Sequence, residues 1–250
     1  GIAMGSSADA AKDASDMVLL DNNFHSIVAA IRVGRTAVAN IRKMVIYLLG
    51  TSLGEVLTML SALVLNIPLP VTAIQILWIN LITDGDSVIP LGLSPPEDRQ
   101  MRIRPRSPQA PLLNVRQLTR VIVMGATMSI SVLVLYHVNL PKGHEYAQTL
   151  AFISLIVAQW TNALNANYEY KLWAYNLIKP NRKLMIALGV SVIIQAAILL
   201  SPLRAFLNVV PVAPTDLAIA AIIPPLTVVL AVDADKIVFG AIAKHKAKSI

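Results

Sequence analysis

The chain has 250 residues, 56% hydrophobic and only 14% charged, with 21 Lys and Arg against 14 Asp and Glu and a formal net charge of +7. Soluble domains carry about 25% charged and 45–50% apolar residues. This composition therefore excludes a disordered chain, a coiled coil and most soluble enzymes, and it points to a polytopic membrane protein. No Cys occurs, which removes disulfides, Cys-ligated zinc and iron–sulfur clusters.

The first 34 residues differ from the rest. A small-residue stretch at 8–15 fits a helix, and the apolar run 17–21 fits a buried parallel strand. Asn22 or Asn23 can cap a helix in which Ile27, Val28 and Ile31 recur at helical spacing. That helical pattern continues past Gly34 into the first long apolar run, predicting one helix of about 30 residues, about 45 Å long. The chain starts at Gly1 without a signal-peptide pattern and reads as the C-terminal part of something longer.

Six apolar runs follow, at about 44–65, 71–93, 120–138, 146–166, 183–203 and 215–233. Each is close to the ~20 residues that cross a hydrocarbon core. The expected fold is thus mainly α: a six-helix transmembrane bundle (35–250) preceded by a short α/β piece (1–34). Six spans leave both ends on one side. Of the 21 basic residues, all but Lys142 and Arg204 fall before span one, between spans two and three, between four and five, or after six. The positive-inside rule makes those segments and both termini cytoplasmic. The net charge is then a topology signal, and no nucleic-acid partner is expected; the partner is the lipid bilayer. The Pro- and Arg-rich loop 94–117 is expected to be stiff and non-helical. The tail Lys244, Lys246 and Lys248 is expected to sit on anionic headgroups.

The first two spans carry three carboxylates, Glu55, Asp84 and Asp86, and the last four carry none in their interiors. A charge at mid-membrane costs at least ~2.5–3.5 kcal/mol and normally marks an ion or proton path. The interiors of the spans hold no Lys or Arg to neutralise these groups. Asn80, Thr83 and Asp84 lie at i, i+3 and i+4 on one helical face, and Ser52 and Glu55 lie at i and i+3. The short turn 66–70 makes spans one and two antiparallel neighbours, so the two oxygen-bearing faces can meet. Carboxylate, amide and hydroxyl oxygens suit Ca²⁺, Mg²⁺, Na⁺ or K⁺. Gly85 and Pro90 predict a break that exposes backbone carbonyls at membrane depth. Gln159, Asn162 and Asn165 give a third polar face in span four, read equally well as ligands or as helix–helix glue. Asp86 points about 200° from Asp84 on a regular helix, unless the helix unwinds at Gly85.

These residues carry a resemblance. L-W-I-N-L-I-T-D-G at 77–85 and S-L-G-E-V at 52–56 resemble the sixth and fifth membrane helices of P-type cation-transporting ATPases of the calcium-pump group. N-A-L-N at 162–165 resembles the eighth helix. G-I-A-M-G at 1–5, A-K-D-A-S-D-M-V-L-L at 11–20 and D-N-N-F at 21–24 resemble the end of the phosphorylation domain. The resemblance implies an ATP-driven pump exporting Ca²⁺ from the cytoplasm across a cell membrane, with a prokaryotic membrane expected. It also implies that the ATP and Mg²⁺ sites lie in N-terminal domains outside this sequence, which has neither D-K-T-G nor T-G-D-G-x-N-D. By resemblance Glu55, Asn80, Thr83 and Asp84 coordinate the cation. Ser52 stands where the two-ion pumps have Asn, and Gln159 stands where they have a ligand Glu. Fewer charges leave room for one Ca²⁺ per cycle or for another cation: Na⁺, K⁺, Mn²⁺, Mg²⁺ or H⁺. Asp86 stands at a usually apolar position, as a replacement charge near the cation or as a proton carrier. A secondary ion-coupled transporter is the alternative class, but it predicts two matching halves, and the second half lacks counterparts of Glu55 and Asp84.

Overall fold

The computed structural model describes the chain except Phe24, Asp98, Arg99, Ile103, Arg104, Arg106, Pro108, Ser249 and Ile250, and except the side chains of Arg102 and residues 240–248. Much of the basic loop (Arg99, Arg104, Arg106) and the tail lysines thus lie outside what is described. The chain forms two compact units, Gly1–Ile41 with Pro95–Ala110, and Arg42–Ser94 with Pro111–Ile250.

In the first unit, strands β1 (Ile2–Met4) and β2 (Met17–Leu19) pair in parallel, with Ala3 opposite Val18. Helix α1 (Asp9–Asp13) makes the crossover. The predicted strand is present but ends at Leu19, where Asn22 turns the chain at a φ of 50°. Gly5 is required there: a Cβ would come within 3.0 Å of the Leu19 carbonyl oxygen and 3.2 Å of that of Leu20. Asn23 caps the next helix by accepting from the His25 N–H at 3.0 Å. Asp21 Oδ2 accepts from the Ser26 hydroxyl at 2.5 Å. That bond, with a second from the Asn23 N–H, holds the exposed Asp21 carboxyl below its ordinary range.

Helix α2 (His25–Val64) runs for 40 residues without interruption, ten more than the sequence pattern suggests, or about 60 Å at 1.5 Å per residue. Its first part belongs to the first unit, where Arg35 and Thr36 bond Gln100. From Arg42 onward it belongs to the second.

The second unit is helical. The apolar run 71–93 is not one regular helix. It comprises α3 (Ala73–Ile79), a π-helical turn (Asn80–Asp84) and α4 (Gly85–Gly92). Then come α5 (Val115–Asn139), α6 (His144–Asn167), the short α7 (Tyr175–Ile178), α8 (Arg182–Leu200) and α9 (Pro214–Lys248). Two stretches expected to be loop are partly helical: Gln100–Arg102 forms one 3₁₀ turn, and α5 already begins at Val115. Its start is a capping box in which Asn114 and Gln117 bond each other's backbone N–H at 3.0 and 2.9 Å.

Among the described residues four helices are long and apolar enough to cross a membrane: His25–Val64, Val115–Lys142, Arg182–Leu200 and Pro214–Phe239. Helix α6 carries too many polar residues to stand out by hydropathy, yet it is the centre of the unit. Residues from Ala147 to Asn167 are buried on nearly every side. Its Phe152, Leu155 and Ile156 pack with Met124, Met128 and Val132 of α5 and Val228 and Val232 of α9. Helices α2 and α5 meet through glycines. A Cβ on Gly54 would overlap the Met128 methyl at 2.0 Å, and one on Gly125 would press on Leu53 at 2.9 Å and the Gly50 carbonyl oxygen at 3.1 Å. Small residues let membrane helices approach this closely.

One end of the unit is tied by neutral hydrogen bonds and by the exposed Lys142–Asp216 pair, 2.6 Å apart. The turn 66–70 is held by Tyr136, whose hydroxyl donates to Pro68 O at 2.9 Å, and by Gln148, which donates to Leu69 O at 3.1 Å. The other end is tied by buried ions. Arg120 Nε donates to Asp235 Oδ2 at 3.1 Å with side chains 3% and 4% exposed, and Arg120 also donates to Glu169 O at 2.8 Å. Glu169 accepts from Gln117, Asp233 accepts from the Trp173 N–H, and Lys236 donates to the carbonyls of Asn165 and Lys171.

Candidate cation site

The polar groups converge between α2, the π turn and α6. Glu55 is 8% exposed on α2. Gln159, wholly buried on α6, donates from Nε2 to Glu55 Oε1 at 2.6 Å. Its Oε1 accepts from the Thr83 hydroxyl, which also lies 2.7 Å from Ile79 O. Asn80, with its amide nitrogen turned to the carboxylate, donates to Glu55 Oε1 at 3.0 Å and Oε2 at 3.3 Å. One carboxylate thus gathers amides from two other elements. Asp84 closes the wide turn. Among the described residues no hydrogen bond reaches its carboxylate, and Oδ1 is buried without a partner.

The geometry follows from the wide turn. In an α-helix each N–H bonds four residues back; a π turn bonds five back, rotates the side chains relative to a regular helix, and is characteristic of functional sites. It takes the place of the break expected at Gly85, which is itself helical (φ −57°, ψ −50°), and Pro90 stays inside α4. Tyr47 of α2, fully buried, reaches under the turn and donates its hydroxyl to Thr83 O at 3.2 Å. Sequence reasoning missed Tyr47. An aromatic at a helical position reads as core, and only the depth of its hydroxyl marks it.

Glu55, Asn80, Thr83, Asp84 and Gln159 therefore share one neighbourhood, and four other polar residues do not. Ser52, one turn before Glu55, is exposed. Asp86 points the other way: its Oδ2 accepts from the buried Ser191 hydroxyl of α8 at 2.6 Å. The helix does not unwind at Gly85, so the ~200° separation from Asp84 holds. Asn162 and Asn165 continue the α6 face away from the cluster. Asn162 meets Met128 Sδ at 3.8 Å, and both amide atoms of Asn165 are buried without a partner.

The donor set is two carboxylates, two amide oxygens and a hydroxyl, all hard oxygens with no imidazole or thiolate. Among the described residues no group of three His, Cys, Asp or Glu gathers anywhere. The set suits a hard cation that keeps part of its coordination from backbone, water or further protein groups. The four long apolar helices make the chain an integral membrane protein with this oxygen cluster between its helices.

The comparisons with known proteins give the class its family. Residues 68–238 match the model of the family "Cation transporting ATPase, C-terminus", and the chain belongs to that family. It is 36% identical over 221 residues to a calcium-transporting ATPase of Bacillus subtilis, covering 86% of this chain and 25% of that protein. It is 38% identical over 159 residues to a calcium-transporting ATPase of Listeria monocytogenes, covering 64% and 18%. It is 44% identical over 117 residues to a P-type sodium-transporting ATPase4 of Plasmodium falciparum, covering 46% and 9%. The chain spans a quarter or less of the length of each.

Proposed function

We propose that this chain is the membrane-embedded cation-binding part of an ATP-driven P-type pump that exports Ca²⁺ from the cytoplasm. Residues 1–34 are the end of its phosphorylation domain, and 35–250 are six spans with cytoplasmic termini, in a prokaryotic cell membrane. The observation that carries this reading is the cluster itself. Glu55 and Asp84 stand at membrane depth beside Asn80, Thr83 and Gln159, with Asp84 Oδ1 buried and unpartnered. Two carboxylates there without a basic partner favour a site whose positive charge arrives and leaves.

Glu55, Asn80, Thr83 and Asp84 are the proposed ligands. Gln159 orients Glu55 and adds its oxygen when the cation displaces the amide contacts. The exposed Asn80 and Ser52 lie where a further helix of the pump completes the coordination. Phosphorylation by ATP with Mg²⁺ belongs to the pump's other domains and drives the alternation between inward- and outward-facing states.

A second reading is Na⁺ as cargo. It is favoured by the neutral Gln159 and by the sodium-transporting relatives of Plasmodium falciparum and Toxoplasma gondii, 44% and 45% identical over 117 and 114 residues. The test is phosphoenzyme formation from ATP by the full-length pump across Ca²⁺, Mn²⁺, Na⁺, K⁺ and pH. Saturable dependence on Ca²⁺ alone supports the first reading and on Na⁺ alone the second. Phosphorylation indifferent to every cation refutes both.

A further inference from the structure

The α8 side of the wide turn carries its own set of contacts. Ser191 and Gln195 lie one turn apart on α8, both buried. Gln195 Oε1 accepts from the indole N–H of Trp78, two residues before the π turn, at 3.0 Å. The Ser191 hydroxyl lies 2.6 Å from Asp86 Oδ2 and 3.4 Å from Ile82 O. A hydroxyl has one proton, and the short contact to the carboxylate takes it. Ser191 thus holds Asp86, two residues past Asp84, with its hydroxyl oxygen beside the Ile82 carbonyl. From the opposite side Tyr47 holds Thr83 O.

A π turn lacks the regular i→i−4 ladder that fixes side-chain angles in an α-helix. Its rotation about the helix axis is set by what braces it laterally. Among the described residues the hydrogen bond to the Asp86 carboxylate comes from Ser191, so that carboxylate serves the turn as a handle for α8.

We propose that Ser191 is a positioning residue for the cation site. Through Asp86 it fixes the rotation of residues 80–86 and so sets where Thr83 and Asp84 stand relative to Glu55 and Gln159. This rests on the reading of that cluster as the cation site. Without the hydroxyl, the Asp86 carboxylate has no donor on α8, and the turn rotates toward any other polar surface at that depth.

The experiment uses the full-length pump in membranes with the variants S191A, S191T, D86A and D86N. A control, V192A, alters a lipid-exposed α8 position that is 47% exposed. Two quantities are read: the cation concentration giving half-maximal phosphoenzyme from ATP, and the phosphoenzyme formed from inorganic phosphate without cation. Losing a hydrogen bond to a charged group gives about a tenfold rise in the half-maximal concentration for S191A and for D86A. The S191A/D86A double variant is expected to be no worse than either single one, because the pair acts as a unit. S191T, which keeps the hydroxyl, and D86N, which keeps an acceptor, restore near wild-type values. Phosphorylation by inorganic phosphate stays unchanged throughout.

The proposal is overturned if S191A stays within twofold of V192A, or if both readouts fall together. It is also overturned if D86N loses as much as D86A while S191A is silent, since Asp86 is then a ligand in its own right. A wild-type pump whose phosphorylation ignores every cation overturns the cation-site reading itself, which is a separate result from a cation-dependent pump with silent Ser191 variants.

Discussion

Asp84→Asn separates a cation ligand from a structural carboxylate. No hydrogen bond among the described residues reaches Asp84, and its Oδ1 is buried without a partner. Asn has the same shape, so the variant should fold as the wild type does, and the loss should fall on the cation. Two unit charges 4 Å apart interact by ~4 kcal/mol at an effective dielectric of about 20, so a divalent ion and one carboxylate interact by ~8 kcal/mol. Desolvation of the carboxylate takes back about half. A divalent cargo then loses ~4 kcal/mol, about a thousandfold in affinity, and a monovalent cargo ~2 kcal/mol, about thirtyfold. The assay is phosphoenzyme formation from ATP against cation concentration, with phosphorylation by inorganic phosphate as the check on folding. The size of the loss also reports the charge of the cargo. Wild-type cation dependence in the Asp84→Asn pump, with normal phosphate phosphorylation, refutes the site assignment.

Other consequences follow from named contacts. Asp235→Ala leaves Arg120 buried with its charge unpaired and should destabilise the detergent-solubilised protein by about 3–5 kcal/mol, read by thermal unfolding. Replacing both partners by apolar residues should cost much less, and equal losses would speak against the buried pair. Gly125→Val should push α5 from α2 by overpacking Leu53 and the Gly50 carbonyl, costing about 1–3 kcal/mol, whereas Gly189→Val, with nothing within 4 Å, should be neutral in the same melt. Tyr136→Phe frees Pro68 O and should weaken the hold on the 66–70 turn by about 1 kcal/mol, seen as faster hydrogen exchange at Leu69 and Val71. Ser26→Ala should raise the Asp21 carboxyl back toward the ordinary range, followed by carbon NMR of labelled Asp. A lowered folded-state value stabilises above the unfolded-state value and is lost as pH falls through the folded one, so the wild-type advantage should vanish in acid.

The sequence by itself settled the class of protein and the identity of the polar residues. Low charge, long apolar runs and basic residues confined to alternate connections follow from the bilayer, which tolerates little else. The i, i+3, i+4 pattern of Asn80, Thr83 and Asp84 put three oxygens on one face, and Asn23 announced the start of α2. Helical spacing is local, so it is legible locally.

The tertiary structure decided what faces what. Spacing cannot tell a π turn from a break, because the two differ in backbone hydrogen bonding and not in composition; Gly85 looked like a break and is helical. Spacing left Asp86 either opposite Asp84 or, on an unwound helix, near it, and the fold turns it to Ser191 of a helix a hundred residues later. Arg120 read as a cytoplasmic topology charge, and it is buried against Asp235, 115 residues away. Tyr47 reads as core and Gln159 equally as ligand or glue, and in the fold they brace the turn and the Glu55 carboxylate. Each of these depends on the rotation of one helix against another, which is set by packing between distant segments and leaves no periodic trace in either one.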